Sequence, residues 1–177
     1  GDILSWGDNS VYQFGDGSNT GVGPVYALSD GEFIALDAGA NSVYALSNTG
    51  KVLTWGDNTY GQLGNGTSGD GAGIKQPTLS AGNQFNVTNT VPVEFSVGQT
   101  AYVRYADGSV RVTGRNDQGQ IGNNSSGAPQ TNAILLKAGQ SNANTPDANM
   151  DSVVGIAAAK EGTFAAAAKS DGSLYTW

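Results

Sequence analysis

The chain has 177 residues, 27 of them glycine, with no cysteine, no histidine and a net charge of −7. These numbers exclude disulfides, thiolate and imidazole catalysis, and zinc sites held by Cys or His. The acidic balance argues against a nucleic-acid surface, because phosphate binding depends on Lys and Arg. No apolar run approaches the length of a membrane span, about 18 residues. We therefore expect no metal, no cofactor, no nucleic-acid partner and no membrane span.

Short strands separated by glycine-rich turns are predicted in chain order. Five runs have strand-like alternation or apolar character with a turn signal beside them: 33–39, 42–46, 52–55, 93–98 and 101–105. The connecting residues are mostly Gly, Asp, Asn and Ser, which favour tight turns and are poor helix formers. The sequence therefore predicts an all-β fold.

One phrase recurs four times: a glycine, a short strand and, in three copies, a Trp, followed in the first two copies by Gly-Asp-Asn and in the third by Gly-Arg-Asn. The copies begin at Gly1, Gly50, Gly108 and Gly172, and the third has Thr113 in place of Trp. The structural repeat positions that we assign are Trp6, Trp55, Trp177, Gly7, Gly56, Gly114, Gly61, Gly64, Gly119 and Gly122. The predicted repeat units are 7–56, 57–114 and 115–177, with long connections at 67–90 and 124–151.

Several short strands in each unit of about 50 residues, with glycine at the corners, are typical of a β-propeller. We predict three to four blades of four-stranded antiparallel sheets in this chain. An open propeller would leave strand edges exposed, which native proteins cover or pair. The chain is therefore expected to be part of a larger ring, completed by remaining blades or by further copies.

The stretch 33–66 carries a specific set of short motifs in order. They are Ala38-Gly39, Ala45-Leu46, Gly50-Lys51-Val52, Trp55-Gly56-Asp57-Asn58 and Gly61-Gln62-Leu63-Gly64. In this combination the stretch resembles the repeat of the regulator of chromosome condensation family, whose members form seven-bladed β-propellers. The resemblance implies a rigid disc that presents loops to a protein partner. Members include a chromatin-bound nucleotide-exchange factor, ubiquitin-ligase accessory domains and a secreted β-lactamase-inhibitor propeller.

The chain departs from the family pattern at three places. Ser42 stands where the family usually has His, and Thr113 replaces the Trp of the second full repeat. In the first repeat, Val11–Gly15 occupies the place of the Gly-Gln-Leu-Gly phrase and matches it only at Gly15. The resemblance therefore implies the fold more strongly than an activity.

Three recurring features have both a structural and a functional interpretation. The tryptophans could stack on a sugar, but their fixed place at a strand end favours packing between blades. The Asp-Asn pairs could form a ring of ligands, but such side chains commonly bond their own turns, which we favour. The run 16–21 mimics half of a calcium loop but lacks the closing glutamate, so we interpret it as a polar turn.

Two groups are candidate partner contacts. They are the arginines Arg104, Arg111 and Arg115, and the apolar residues Ile134, Leu135 and Leu136. The arginines can hold an anion or pair with a nearby Asp. The apolar residues lie in the connection 124–151 and either pack on a blade or contact a partner. Long loops carry recognition, but insertions also cost little in closure entropy, so both interpretations stay open.

We expect a non-enzymatic interaction or structural module, because no catalytic pair of residues can be named. The Asn-, Thr-, Ser- and Gly-rich composition favours a virion (phage tail or fibre) or cell-surface component, extracellular in location, which binds a protein, a surface receptor or a glycan through its loops. The alternative is a regulatory propeller that binds an intracellular enzyme or GTPase. A lectin-like carbohydrate binder is a second alternative.

Overall fold

The computed structural model describes residues 1–28, 32–69, 85–138, 148–161 and 163–177. These residues form twelve strands and no helix, so this part of the chain has no helix that could cross a membrane. The strands are β1 (Ile3–Ser5), β2 (Val25–Leu28), β3 (Phe33–Gly39), β4 (Ser42–Ser47), β5 (Val52–Gly56), β6 (Pro92–Ser96), β7 (Thr100–Tyr105), β8 (Val110–Gly114), β9 (Gln130–Leu135), β10 (Val153–Ala158), β11 (Ala165–Lys169) and β12 (Leu174–Thr176).

The strands form four antiparallel sheets in which neighbours along the chain are also neighbours in the sheet. Sheet 1 is β1-β2, sheet 2 is β3-β4-β5, sheet 3 is β6-β7-β8-β9 and sheet 4 is β10-β11-β12. Turns with a positive-φ glycine at Gly50, Gly108 and Gly172 join the second and third strands of sheets 2, 3 and 4. The all-β prediction is confirmed, and sheet 3 contains all four strands of a blade. The predicted repeat units 7–56, 57–114 and 115–177 begin after β1, β5 and β8, respectively, and β1 holds in sheet 1 the place that third strands hold in sheets 2 and 3. The boundaries of the units stay a prediction.

The first strand of sheets 2, 3 and 4 is bulged at one equivalent place. The pairing with the second strand shifts register between Phe33 and Ala35 in β3, between Pro92 and Glu94 in β6, and between Val153 and Gly155 in β10. An extra residue of this kind bends a strand and increases its twist. The recurring bulge shows that one backbone geometry underlies three sheets whose first strands share little sequence.

The two ends of the sheets differ in what they carry. At one end lie the short turns 48–50, 106–108 and 170–172, which we call the turn face. At the other end lie the hairpins between first and second strands and the loops that follow third strands. We call this end the loop face, made of residues 7–24, 39–41, 57–69, 97–99, 115–129, 159–161 and 163–164. Third strands leave at this end because Gly56 pairs with Ser42, beside the hairpin 39–41.

The core lies between neighbouring sheets. Tyr44 of sheet 2 is wholly buried and packs edge-on against Phe95 of sheet 3, with ring centroids 5.8 Å apart. Tyr102 of sheet 3 is likewise buried, in a cluster with Ile156 and Ala165 of sheet 4. Burial of large apolar side chains stabilises each sheet against the next, so successive sheets stack as the blades of a propeller do.

First strands are also linked to one another by polar contacts. Asp37 Oδ2 accepts a hydrogen bond from Val97 N at 2.8 Å, and Ser96 Oγ accepts one from Ala158 N at 2.9 Å. The two contacts are equivalent, since Asp37 and Ser96 occupy matching places in β3 and β6. The matching residue of β10 is Ala157, which has no side-chain acceptor. Asp37 of β3 and Ser96 of β6 therefore each bond the backbone at the end of the first strand of the next sheet.

The connection 124–151 is not a long loop throughout, which corrects the prediction. It contains β9, the fourth strand of sheet 3, and an isolated bridge between Lys137 and Asn149. The pattern was missed because β9 contains Gln130, Thr131 and Asn132, which lack strand-like alternation. In the other connection, residues 70–84 lie outside the described part of the chain. At its far end, Asn86 bonds both Val52 N (2.8 Å) and Val52 O (3.1 Å), as a neighbouring strand would.

Candidate interaction face

Each loop after a third strand is organised by one buried asparagine: Asn9, Asn58 or Asn116. The Oδ1 atom of each accepts a hydrogen bond from a backbone N–H five residues later, at 2.9, 3.0 and 3.1 Å. The Nδ2 atom of each donates to a carbonyl nine residues later, at 3.0, 3.0 and 3.2 Å. The predicted structural role of the Asp-Asn pairs is confirmed for these asparagines, since their polar atoms hold the loop and are not offered to a ligand.

A glutamine completes the same scaffold in all three loops. Gln13, Gln62 and Gln120 each accept a hydrogen bond from the N–H two residues earlier, at 2.9, 2.8 and 2.9 Å. Their Nε2 atoms donate to the carboxylates of Asp8, Asp57 and Asp117, respectively. The first loop therefore matches the others at Gln13 as well as at Gly15. Sequence comparison missed this match because Tyr12, with φ +66°, replaces a glycine at the preceding position.

In the third loop the acidic residue has a different position, and an arginine occupies its usual place. Arg115 stands at the position of Asp8 and Asp57, and the acid has moved two residues on, to Asp117. Asp117 still accepts a hydrogen bond from Gln120 Nε2, at 2.8 Å, and it forms an ion pair with Arg115. Arg115 also donates to Gln99 Oε1 at 2.6 Å and lies 5.5 Å from the centroid of the Tyr60 ring in the preceding loop. This guanidinium therefore joins two loops and a hairpin of the loop face.

The repeat-phase tryptophan donates to the loop of the preceding sheet. Trp55 Nε1 bonds Gln13 O at 2.9 Å, and Trp177 Nε1 bonds Gln120 O at 2.7 Å. Where Thr113 replaces Trp, its hydroxyl lies 2.9 Å from Gly61 O of the preceding loop. Packing between blades is thus confirmed at Trp55, which is wholly buried.

Trp6 corrects that prediction at the first copy. Its side chain is 71% exposed, and no indole hydrogen bond is present among the described residues. The reason is positional: Trp6 belongs to sheet 1, and the described chain has no preceding sheet whose loop could receive its indole.

The glycine that follows each Trp or Thr is required by the backbone. Gly56 and Gly114 have φ of +96° and +113°, and a Cβ at either would collide with a backbone carbonyl, Asn41 O or Gln99 O. The same carbonyls accept hydrogen bonds from Asp57 N and Arg115 N, at 3.0 and 2.8 Å. Left-handed backbone and close approach together explain the invariant position of glycine in the phrase.

Hydrogen bonds and an ion pair shift the pKa values of three charged groups of the loop face, Asp8, Arg115 and Asp117, in favour of their charged forms. The backbone N–H and hydroxyl of Ser10 hold the pKa of Asp8 below its ordinary value. Arg115 and Gln120 do the same for the pKa of Asp117, and Asp117 in turn raises the pKa of Arg115. The acidic residues at this face are Asp8, Asp16, Asp57, Asp117 and Glu161, and the basic ones are Arg115 and Lys160. The face is therefore acidic as a whole.

The remaining candidate contacts lie elsewhere. Arg104 pairs with Glu94 at 2.5 Å in sheet 3, and Arg111 donates to Ala133 O at 3.0 Å on the outer part of that sheet. Ile134 and Leu135 are half-buried, whereas Leu136 is wholly buried. Leu136 is thus a core residue and not an exposed partner contact, which corrects that part of the prediction.

The run 16–21 folds as a polar turn, as expected. Asp16 Oδ1 accepts from Ser18 N at 2.9 Å and from Ser18 Oγ at 2.8 Å. Over the described ranges, no group of three or more acidic residues is placed to hold a metal ion.

Comparison with known proteins identifies the repeats. Two models of the regulator of chromosome condensation (RCC1) repeat match the chain, one over residues 33–62 and the other over residues 49–101. No curated protein sequence matches it.

Solved structures show the same fold over essentially the whole chain. Prp20p from Saccharomyces cerevisiae, described with its binding properties to Gsp1p and histones, has a TM-score of 0.76 at 20% identity over 100% of this chain. Yeast RCC1 (Prp20) in complex with Kap60 gives 0.73 at 21% identity over 100%, and human WBSCR16 gives 0.71 at 18% over 98%. This chain covers 41%, 39% and 42% of those three chains, about two fifths of their length.

The stacked antiparallel sheets, the repeated loop scaffold and these matches agree on the architecture. The chain is a partial β-propeller, and its residues 33–101 match repeats of the regulator of chromosome condensation type.

Proposed function

We propose that the chain is a non-enzymatic propeller module that binds a basic protein partner through its loop face. The observation that carries the proposal is the contrast within the loops. An asparagine and a glutamine at the same positions hold each loop in one shape, whereas the outward residues differ from loop to loop. Rigid scaffolds with variable loops are a common way to present recognition residues.

The outward residues differ in chemistry as well as in sequence. Ser10 is exposed in the first loop, Tyr60 is half-exposed in the second, and Asp117 and Gln118 are exposed in the third. A half-exposed Tyr stacked with Arg115 provides an amphipathic centre of the kind enriched in protein interfaces. The surrounding carboxylates give that centre an acidic rim, which favours a partner of opposite charge.

The comparisons support a protein partner rather than a glycan. Prp20p is described with binding to Gsp1p and histones, and yeast RCC1 with Kap60. They favour a regulatory propeller over the virion or cell-surface role, which rests on composition alone. We accordingly propose the regulatory, protein-binding role for this chain. The extracellular location that the composition favours stays an untested prediction.

Binding to two defined probes, Gsp1p and core histones, tests the proposal. Immobilised chain would be titrated with each probe by biolayer interferometry at low and moderate salt. The variants Glu161→Lys and Gln118→Lys reverse or add charge at exposed positions of the loop face, and Asp2→Lys is the matched control at an exposed residue outside it. We expect at least one probe to bind, with affinity falling severalfold in the first two variants and little in the control.

Two results would contradict the proposal. One is that neither probe binds the wild-type chain above an albumin control. The other is that Asp2→Lys weakens binding as much as Glu161→Lys does, because a general charge effect does not require the loop face.

A further inference from the structure

A groove of about 550 Å³ lies on the outer part of the molecule, where sheet 3 meets the segment that precedes it. Its walls are the segment 86–90, the turn residues Asp107 and Ser109, Arg111 of β8 and Leu135 of β9. The volume is within the usual range of small-ligand sites, about 300–1,000 Å³. The groove is away from the loop face, so the proposed partner binding does not use it.

Arg111 is the distinctive group of this groove. The other two arginines are neutralised, Arg104 by Glu94 and Arg115 by Asp117. Arg111 is held by one hydrogen bond to Ala133 O at 3.0 Å, and within the described ranges no carboxylate lies within 4 Å of it. A guanidinium fixed on one side by a backbone carbonyl keeps further N–H donors for a planar, two-oxygen acceptor.

The rest of the lining selects among anions. Asp107 stands on the same wall, and the hydroxyl and backbone N–H of Ser109 hold its pKa below the ordinary value, so it remains charged. It repels a simple anion but accepts hydrogen bonds from hydroxyl groups. The side chains of Thr88, Asn89 and Thr90 offer more polar contacts, and Val87 and Leu135 offer apolar ones. The lining therefore fits a ligand that has a carboxylate at one end and hydroxyl groups beyond it.

We propose that this groove binds a small polyhydroxylated carboxylate, such as a uronic acid sugar. The ligand's carboxylate lies on Arg111, its hydroxyls donate to Asp107, and its C–H face contacts Val87 and Leu135. Charge-assisted bonds to a guanidinium are about twice as strong as neutral ones, so the carboxylate contributes most of the affinity. Asp107 provides the preference for hydroxylated over plain acids.

The test is ligand-observed NMR titration with three probes: glucuronate, glucose and acetate. We expect glucuronate to bind about tenfold more tightly than either of the others. Arg111→Gln should abolish that preference, whereas Lys51→Gln, the same charge change at an exposed lysine outside the groove, should not. Asp107→Asn keeps an oxygen that can accept from Ser109 but removes the charge. It should therefore strengthen acetate binding and reduce the preference for glucuronate.

The outcomes are separable from folding and from the partner proposal. Thermal unfolding of each variant reports on the fold, and Arg111→Lys offers a second, milder change that keeps the charge but loses the two-oxygen geometry. The proposal is overturned if glucuronate binds no better than glucose, or if a folded Arg111→Gln variant retains the preference. Equal binding of acetate and glucuronate by the wild-type chain would show a plain anion site instead and would also contradict it.

Discussion

The carboxylate of Asp37 and the ammonium group of Lys160 lie 2.6 Å apart, although 123 residues separate them in the sequence. Asp37 is in the first strand of sheet 2, and Lys160 follows the first strand of sheet 4. The same carboxylate accepts a hydrogen bond from the backbone N–H of Val97, at the end of the first strand of sheet 3, at 2.8 Å. One side chain therefore joins three successive sheets at the loop-face end.

The two contacts of Asp37 should differ in energy. Lys160→Ala removes a pair whose lysine side chain is 48% exposed, so we expect a loss of only about 0–1 kcal/mol of unfolding free energy. Asp37→Ala also leaves Val97 N without its acceptor and should cost about 1–3 kcal/mol. Urea denaturation measures both changes. Asp37→Ser is the matched control, because Ser96 makes the equivalent contact in the next sheet; a loss equal to that of Asp37→Ala would contradict this account.

The buried asparagines should be among the least replaceable polar residues. Asn58→Ala removes the acceptor for Leu63 N and the donor to Thr67 O, and we expect a loss of about 2–4 kcal/mol in urea unfolding. Asn58→Asp keeps the acceptor but not the donor, and it buries a charge, so it should also destabilise. An exposed polar change in the same loop, Ser68→Ala, serves as the control. If Asn58→Ala were as mild as that control, the asparagine scaffold would be wrong.

Trp55 and Trp6 should respond differently to the same substitution. Trp55→Phe loses the hydrogen bond from the buried indole to the carbonyl of the half-buried Gln13, which should cost about 1–3 kcal/mol. Trp6→Phe should change the stability of this chain by no more than about 0.5 kcal/mol, since Trp6 is 71% exposed. Thermal denaturation of the two variants provides the comparison, and equal effects would contradict the repeat-phase hydrogen bond.

The exchanged charges of the third loop predict a coupled pair. Arg115→Asp places two acids beside each other, and Asp117→Thr leaves both Arg115 and Gln120 Nε2 without their carboxylate. Each single variant should lower the urea midpoint. The double variant restores the arrangement of the second loop, where Asp57 and Thr59 hold these places, and should recover most of the loss. A double variant whose loss equals the sum of the two singles would show that the sites are independent.

Three tyrosines should set the alkaline limit of stability. Burial raises the pKa of Tyr44, Tyr102 and Tyr105 above the ordinary value. A raised pKa means that the stabilisation is complete below the unfolded pKa, about 10, and is lost as the pH rises through the folded values. Phenolate absorbance should therefore show that these three of the seven tyrosines titrate late and together with unfolding. Titration of all seven near pH 10 in a chain that stays folded by circular dichroism would contradict the burial.

The fold could be predicted from the sequence because its strands and turns follow a repeated motif. The Trp-Gly-Asp-Asn phrase located the third strands and their glycine corners, because glycine there is required by positive φ and a close carbonyl. The polar strand β9 was missed, since its edge position in sheet 3 imposes no regular alternation on 130–132.

The contacts of the candidate residues were harder to predict from the sequence than the fold. The stacking of Arg115 on Tyr60 and the hydrogen bond from Arg111 to Ala133 O depend on which groups lie near each arginine in the folded chain. The sequence left open whether Leu136 packs on a blade or contacts a partner, and the fold places its side chain in the core between sheets 3 and 4. Such outcomes follow from long-range packing, which a single sequence does not encode locally.

Hydrogen–deuterium exchange of the chain, with and without core histones or Gsp1p, would locate the surface that a bound partner covers. We expect the bound partner to slow exchange in peptides covering 7–24, 57–69 and 115–129 of the loop face. Peptides covering the turn face at 48–50, 106–108 and 170–172 should exchange as in the free chain. Protection confined to the turn face, or no protection at saturating partner, would contradict a loop face that binds a basic protein.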